Sequence, residues 1–359
     1  MTTKPHHPLH VVVNAGSSTL KLAAFEGNVK KSSRTYDITK PSDYDKALAN
    51  FTKGKNPQAI VHRMVHGGEA FRKPVKISSA VLKKLKPLDG LAPLHNPVAR
   101  KCILACLKKF PMSKQFVIFD TEFHETIPEV NYRYAIAERT MRRYGFHGIV
   151  CASVIRQLRE MKKLVARTII CHLGSGCSVT AVKDGKSIDT TMGFTPLEGL
   201  VMGTRAGDLD PGVVLELVKK HGEKKVFDML SYSSGLKGLS GESDMREVLK
   251  KASKGNKDSQ LAVKIFCSKA AKHIAALVIS LGGIDTLVFS GGIGEHAPLI
   301  RAKICDQLRP LGVKINFQKN HSATPGKYFH QFFSRIKLLA LHADEEGEMN
   351  RILLREEVH

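Results

Sequence analysis

One stretch of this chain nearly repeats itself, and that constrains the fold more than any other feature. HVVVNAGSSTLKLAAFEGNVK at 10–30 resembles TIICHLGSGCSVTAVKDGKS at 168–187, and placing Gly16 on Gly174 gives an offset of 158 residues. Each copy is an apolar β run, a polar residue (Asn14, His172), a Gly/Ser turn, a second β run and a charged turn. Two such hairpins predict two related α/β halves. Small turn residues let backbone N–H groups approach an anion, and serine hydroxyls add donors. The plain alternative is two ordinary hairpins that share turn chemistry.

The remaining pattern agrees with α/β. AIVHRMV, QFVIFD, RTIICHL, SVTAVKDG and DTLVFSG read as strands, and helices are predicted near 41–51, 97–109, 149–163, 211–219, 258–281 and 345–357. The 258–281 segment predicts Leu261, Ile265, Ile274, Leu277 and Leu281 near one face, with a stop at Gly282-Gly283. At 359 residues the chain has room for two domains, and the boundary is expected near 147.

With 42% hydrophobic and 25% charged residues, collagen-like, disulfide-scaffold and disordered classes are excluded. The 56 Lys+Arg exceed the 33 Asp+Glu, giving +23. The basic residues are spread along the chain (KKLKP, KKHGEKK, KKASKGNK), which favours a soluble anion-handling protein over a dedicated nucleic-acid binder. Seven cysteines without a C-x-x-C pair, several in apolar runs, read as reduced core thiols of a cytoplasmic protein. MTTKPHHPLH has no apolar signal core, and lysines interrupt 258–281, so no membrane partner is expected.

Neither G-x-x-x-x-G-K-[ST] nor a strand-following G-x-G-x-x-G occurs, so a P-loop NTPase and a standard dinucleotide dehydrogenase both lose ground. LVFSGGIGEH at 287–296 instead puts glycines where a buried strand meets a helix, a position that suits a nucleotide. Polar residues beside apolar runs carry the rest. These are Arg63 in HRMVHGGE, His95 in APLHNP, Asp120 in FDTEFH, His147 in RRYGFHG, and Arg205 in MGFTPLEGLVMGTRAGDLDPG. Singly, each is more often a surface or hydrogen-bonding residue. Asp208 and Asp210 are expected to cap a helix starting near Pro211 rather than bind metal. Together the two arginines, the histidines and the aspartate resemble an anion-transfer site.

In this order, NAGSSTLK, HRMVHGGE, APLHNP, FDTEFH, RRYGFHG, HLGSGCSV, DTTMGFTPLEGLVMGTRAGDLDP and FSGGIGE resemble the acetate kinase family over roughly residues 10–352. The resemblance implies two duplicated ribonuclease H-like (actin-like ATPase) domains with a cleft between them. Residues 1–147 with 344–359 would form the acyl side and 148–343 the nucleotide-binding domain. It implies Mg²⁺-dependent (or Mn²⁺-dependent) phosphoryl transfer from ATP to acetate or another short-chain carboxylate, and a homodimer. Asn14 and Glu345 would serve the metal. Ser17, Ser18 and Lys21 would line the first phosphate hairpin, and His172, Leu173, Gly174, Ser175 and Gly176 the second. Asp244, Met245 and Arg246, with Gly292, Ile293, Gly294, Glu295 and His296, would meet the nucleotide. Arg63 and Arg205 would clamp carboxylate and phosphoryl group, and His147 would donate to the equatorial oxygens. Val65, Leu94, Phe146 and Pro196 would enclose the acyl methyl, with His95 beside them.

Those residue types suit the chemistry. Phosphoryl transfer needs in-line positioning and charge neutralisation more than covalent work by the protein. Arginine matches carboxylate and phosphate with a permanent charge. A short-chain carboxylate is already ionised at pH 7, so Asp120 is expected to orient rather than to accept a proton. Against the family pattern the chain is short between the first hairpin and HRMVHGGE. It also carries Ser175 and His296 where Asn is usual, Ala343-Asp344-Glu345-Glu346 for Thr-Asn-Glu-Glu, and Ile149-Val150-Cys151 for Thr-Ser-His. A propionate or butyrate kinase, or a non-catalytic anion- or nucleic-acid-binding derivative, are the alternatives.

Overall fold

The computed structural model describes residues 8–16, 19–38, 40 and 42–358. The expected phosphate contacts Ser17 and Ser18 lie outside the described residues. The chain divides into two compact units, one of 1–125, 146–153 and 344–359, the other of 126–145 and 154–343.

In the first unit, β1 (Leu9–Ala15), β2 (Thr19–Glu26) and β3 (Val29–Asp37) form an antiparallel meander. β4 (Ala59–Met64) runs parallel to β1, and β6 (Lys114–Phe119) parallel to β4. The two-residue β5 (Val75–Lys76) closes the edge, for an order β3-β2-β1-β4-β6-β5. β1 is apolar on both faces because both are covered. Val11 and Val13 pack with Tyr44, Leu48 and Phe51 of helix Ser42–Phe51 and Cys102 and Cys106 of helix Asn96–Lys109. Val12 faces the other way, onto Met349, Ile352 and Leu353 of helix Glu345–Val358. Full burial of such an aliphatic side chain stabilises by about 1.5–3 kcal/mol.

The second unit repeats the plan. β7 (Arg167–Leu173), β8 (Cys177–Lys183) and β9 (Lys186–Thr190) form the meander, and β10 (Thr286–Ser290) and β11 (Lys337–Ala340) add in parallel. Its order is β11-β10-β7-β8-β9, so both sheets carry the same meander-plus-parallel path. The near-repeat is therefore a duplicated ribonuclease H-like topology.

Helix Lys257–Leu281 packs on β8 and β7. Asn256 caps it by accepting from Ser259 N (2.8 Å), and it ends where Gly282 turns left-handed (φ 70°) and Gly283 N reaches Val278 O (2.9 Å). One expectation needs correction. Leu261 is 52% exposed and Ile265 half-buried, whereas Ile274, Leu277 and Leu281 are buried as expected and Ala262, Phe266 and Ala270 complete the core face. All seven cysteines are buried and free.

Candidate active site

The polar residues of the first unit gather at the carboxyl ends of its parallel strands, where α/β sheets commonly bind ligands. Asn14 lies next to the end of β1, Arg63 next to the end of β4, and Asp120 follows β6 with its N–H on Met64 O (3.1 Å). Arg63 Nε donates to both Asp120 oxygens (3.0 and 3.1 Å), Nη2 to Oδ2 (2.5 Å) and Nη1 to Asn14 Oδ1 (3.0 Å). Asn14 Nδ2 reaches on to Glu346 Oε1 (3.0 Å) and Glu345 Oε2 (3.4 Å), and Lys21 Nζ lies 3.4 Å from that same Glu345 oxygen. Strand ends far apart in sequence thus meet the start of the C-terminal helix.

Asp120 is only 1% exposed, and burial, partly offset by Arg63, pushes its carboxyl upward. Burial alone would lower the Arg63 guanidinium, but Asp120, Glu345 and Glu346 outweigh it and hold Arg63 above its ordinary range. Such a pair is costly to break because either partner alone would be an uncompensated buried charge.

Around this network run the loops of the expected acyl site. Val65 and Phe146 are buried, Leu94 and His95 half-buried. His66 meets the Phe146 ring edge-on at 5.3 Å. His147 adopts φ 58°, a left-handed conformation uncommon for a side-chain-bearing residue. The next residue is glycine for a steric reason. Gly148 N donates to Asp120 O at 2.9 Å, and a Cβ there would lie 2.1 Å from that oxygen. FHG therefore ties His147 beside Asp120.

The second unit offers mainly backbone. Gly174 N bonds Gly176 O (3.0 Å), and Ser175 is exposed at the tip with its carbonyl accepting from Gly203 N (3.1 Å). His172 Nδ1 lies 3.1 Å from Ser290 Oγ. Gly291 (φ 77°) passes so near β7 that a Cβ would sit 2.6 Å from Leu173 O, whereas one on Gly292 would meet nothing. Glu295 accepts from Gly291 N (3.1 Å) and pairs with His342 (3.0 Å), with His296 Nε2 at 4.0 Å. Leu173, Met245 and Gly294 are buried and Ile293 is half-buried. Asp244 caps helix Met245–Ser253 through Arg246 N (2.8 Å) and holds the exposed Arg246 guanidinium (2.5 Å).

Arg205 differs from Arg63. Its Nη1 touches only Pro196 O (3.3 Å) and Met202 Sδ (3.8 Å), and it forms no ion pair among the described residues. Burial lowers its guanidinium. Asp210 caps helix Pro211–His221 as expected, and Asp208 accepts from Gly199 N (2.7 Å) and faces His273 (3.1 Å).

Several supporting residues were not read from sequence. Asn96 clasps His66 through N–H (3.2 Å) and O (3.0 Å), and His124 Nε2 lies 2.9 Å from Phe146 O. Glu198 binds Tyr134 Oη and Arg143 Nη2 (2.5 Å), bracing the loop that carries Pro196. A polar residue inside APLHNP and FDTEFH was the available signal for the first two.

Among the described residues no three His, Cys, Asp or Glu side chains converge as a ready metal cage. Glu345 and Glu346, neighbours at the start of the C-terminal helix with Asn14 Nδ2 between them, are hard oxygen donors of the kind that suits Mg²⁺. That ion is commonly held by one or two carboxylates together with substrate phosphates.

The acetokinase family model matches residues 42–351. The acetate kinase of Thermotoga petrophila is 42% identical over 316 residues, 84% of this chain and 78% of that protein. That of Nostoc punctiforme is 44% identical over 297 residues, 80% and 73%. Two solved structures share the fold: a propionate kinase from Francisella tularensis (TM-score 0.88, 35% identity, 96% of this chain and 98% of that one) and the acetate kinase of Entamoeba histolytica (0.87, 31%, 98% and 99%). With its duplicated sheets and its arginine-centred strand ends, the chain belongs to the acetokinase family.

Proposed function

We propose that this enzyme transfers the γ-phosphoryl group of ATP to acetate, reversibly, giving acetyl phosphate and ADP. The observation that carries it is the pair of largely buried arginines, one neutralised by Asp120 and one without a carboxylate partner among the described residues. A fixed, partly desolvated cation of that kind suits the charge that develops on a transferring phosphoryl group.

In this reading a carboxylate oxygen of acetate forms the new bond to γ-phosphorus while the bond to the β–γ bridging oxygen breaks, and ADP leaves with that electron pair. No proton moves, because acetate is already ionised. Asp120 fixes the Arg63 fork instead of acting as base, and His147 donates to the equatorial oxygens. Arg205, which has no carboxylate partner among the described residues, would be the second cation for the developing charge. Glu345 and Glu346, with Asn14, would hold Mg²⁺, which neutralises phosphate charge when bound; Mn²⁺ would substitute. The acyl group would be taken through Val65, Leu94, His95, Phe146 and Pro196. Nucleotide is held through Lys21, Ser17 and Ser18, and through 172–176, 244–246 and 292–296.

Helix Pro211–His221 supports a homodimer. It carries Val213, Val214, Leu215, Leu217 and Val218, yet buries none of them, and Leu215 is 70% exposed. Seven buried free thiols support a cytoplasmic location.

Propionate is the second reading, favoured by the likeness to the Francisella propionate kinase. A hydroxamate assay with ATP, Mg²⁺ and acetate, propionate or butyrate tests both. Acetate should give the highest kcat/KM, and propionate should be used less well. Better turnover of butyrate than acetate, or no acyl phosphate at all, would overturn the assignment.

A further inference from the structure

From Gln307 to Ala343 the chain contains no Asp or Glu, while Arg309, Lys314, Lys319, Lys327, Arg335 and Lys337 supply positive charge. Arg309 pairs with Asp306, and the other five form no ion pair among the described residues. In the middle of this stretch Phe332 and Phe333 stand in solvent, 92% and 81% exposed, with their rings 5.2 Å apart.

The turn that carries them is firmly built. Ser334 N donates to Gln331 O (2.9 Å), Ser334 Oγ to Ile336 O (2.8 Å) and Gln331 N to Lys314 O (2.8 Å). Behind it Phe329 is fully buried, its N–H on Leu338 O (3.0 Å) and its ring beside Phe289. Asn316 N bonds Phe329 O (2.9 Å), which brings in the segment of a third exposed ring, Phe317. Burial, then Lys319 and Lys337, disfavours protonation of His330, a sign that the local field is positive.

A single exposed phenylalanine is ordinary, but adjacent rings held outward by a fixed turn are not. A second copy of this face would set like charge against like charge. An anionic bilayer matches both features, taking apolar rings into its headgroup boundary and attracting the cations around them. We propose that the turn 331–335 adsorbs this protein reversibly onto anionic lipid, with Phe332 and Phe333 as the inserting pair. No helix among the described residues is long and apolar enough to cross a membrane, so the mode is adsorption.

Sedimentation with phosphatidylcholine vesicles, with and without phosphatidylserine, tests this on the full chain. Binding should require phosphatidylserine and fall with added salt. The Phe332→Ser/Phe333→Ser variant should bind at least about tenfold more weakly. Lys314→Gln/Arg335→Gln should lose about 25-fold, roughly fivefold per cation. Both should keep ATP-dependent acyl phosphate formation, which shows that they fold. The proposal fails if the parent binds neither vesicle, binds both equally, or binds no better than the phenylalanine variant. It also fails if that variant instead shifts the sedimentation coefficient by breaking a dimer.

Discussion

Asn14 and His172 occupy the same place in the two copies of one topology, the last polar residue before a Gly/Ser turn. Their surroundings have diverged. Asn14 sits inside a side-chain network that runs from Arg63 to Asp120, Glu345 and Glu346, whereas His172 meets a serine hydroxyl beside glycine backbone. The first unit has concentrated charge that is already compensated. The second presents exposed peptide groups and one uncompensated arginine. On the function proposed above, a duplicated scaffold would divide the reaction, one half supplying charge geometry and the other close backbone approach to phosphates.

The sharpest way to break that comparison is to remove each arginine. Arg63→Ala and Arg205→Ala should each lower kcat by about 10²-fold or more, as loss of a preorganised donor does. Their effects on stability should differ. Arg63→Ala strands Asp120 as a buried carboxylate near Glu345 and should destabilise by about 3–5 kcal/mol. Arg205→Ala strands no carboxylate and should stay within about 1 kcal/mol of the parent. Hydroxamate kinetics and urea melts read both quantities. Equal destabilisation would refute the contrast, and near-parental turnover in both would refute the assignment.

Acid should separate the units next. Burial lowers His62 and His124, both in the first unit, to about 4, from about 6.5 when unfolded. Between these values the unfolded chain binds protons that the folded state refuses, so stability falls as pH falls from about 6.5 towards 4. Glu122 opposes this, since burial raises it to about 7 and the folded state then keeps a proton that the unfolded one sheds. Each histidine costs about 1.4 kcal/mol per pH unit over this range, and the raised carboxyls of Glu122 and Asp120 work against that loss. In the second unit His330 is lowered too, but it is only half-buried. Calorimetry at pH 7 and 5 should show the first unit melting earlier at the lower pH. His124→Gln should flatten that dependence, and an unchanged slope would remove His124 from the account.

Much of this contrast was legible in sequence because strands announce themselves by apolar runs. Arg63 and Asp120 stood out as charges at the ends of such runs. β3 did not, because VKKSSRTYD lies almost wholly exposed and is held by pairing with β2 instead of burial. The helices Glu223–Tyr232 and Met245–Ser253 were missed for a similar reason, being short and largely polar. In Lys257–Leu281 the C-terminal half of the face, Ile274, Leu277 and Leu281, was read correctly, but Leu261 was weighted over the buried alanines and cysteine at its N-terminal half. Within the site, individual residues were readable but their partners were not. The Asn14–Glu346 bond joins residues at opposite ends of the chain, and no local pattern encodes that meeting.

The smallest expected effect probes the division of labour itself. Val65 is buried beside His66, whose ring meets Phe146. Val65→Ala removes two carbons, room enough for the one extra methylene of propionate, and a methylene in an apolar pocket is worth about 1–3 kcal/mol. The propionate-to-acetate ratio of kcat/KM should therefore rise by about tenfold, while KM for ATP stays unchanged. Arg246→Ala should do the reverse, because Arg246 is exposed at a helix start in the second unit and pairs only with Asp244 among the described residues. It should raise KM for ATP severalfold and leave the carboxylate ratio alone. If Val65→Ala instead moved KM for ATP, or Arg246→Ala changed the carboxylate ratio, the two units would not divide the substrates between them. The difference between Asn14 and His172 would then reflect drift within one shared function.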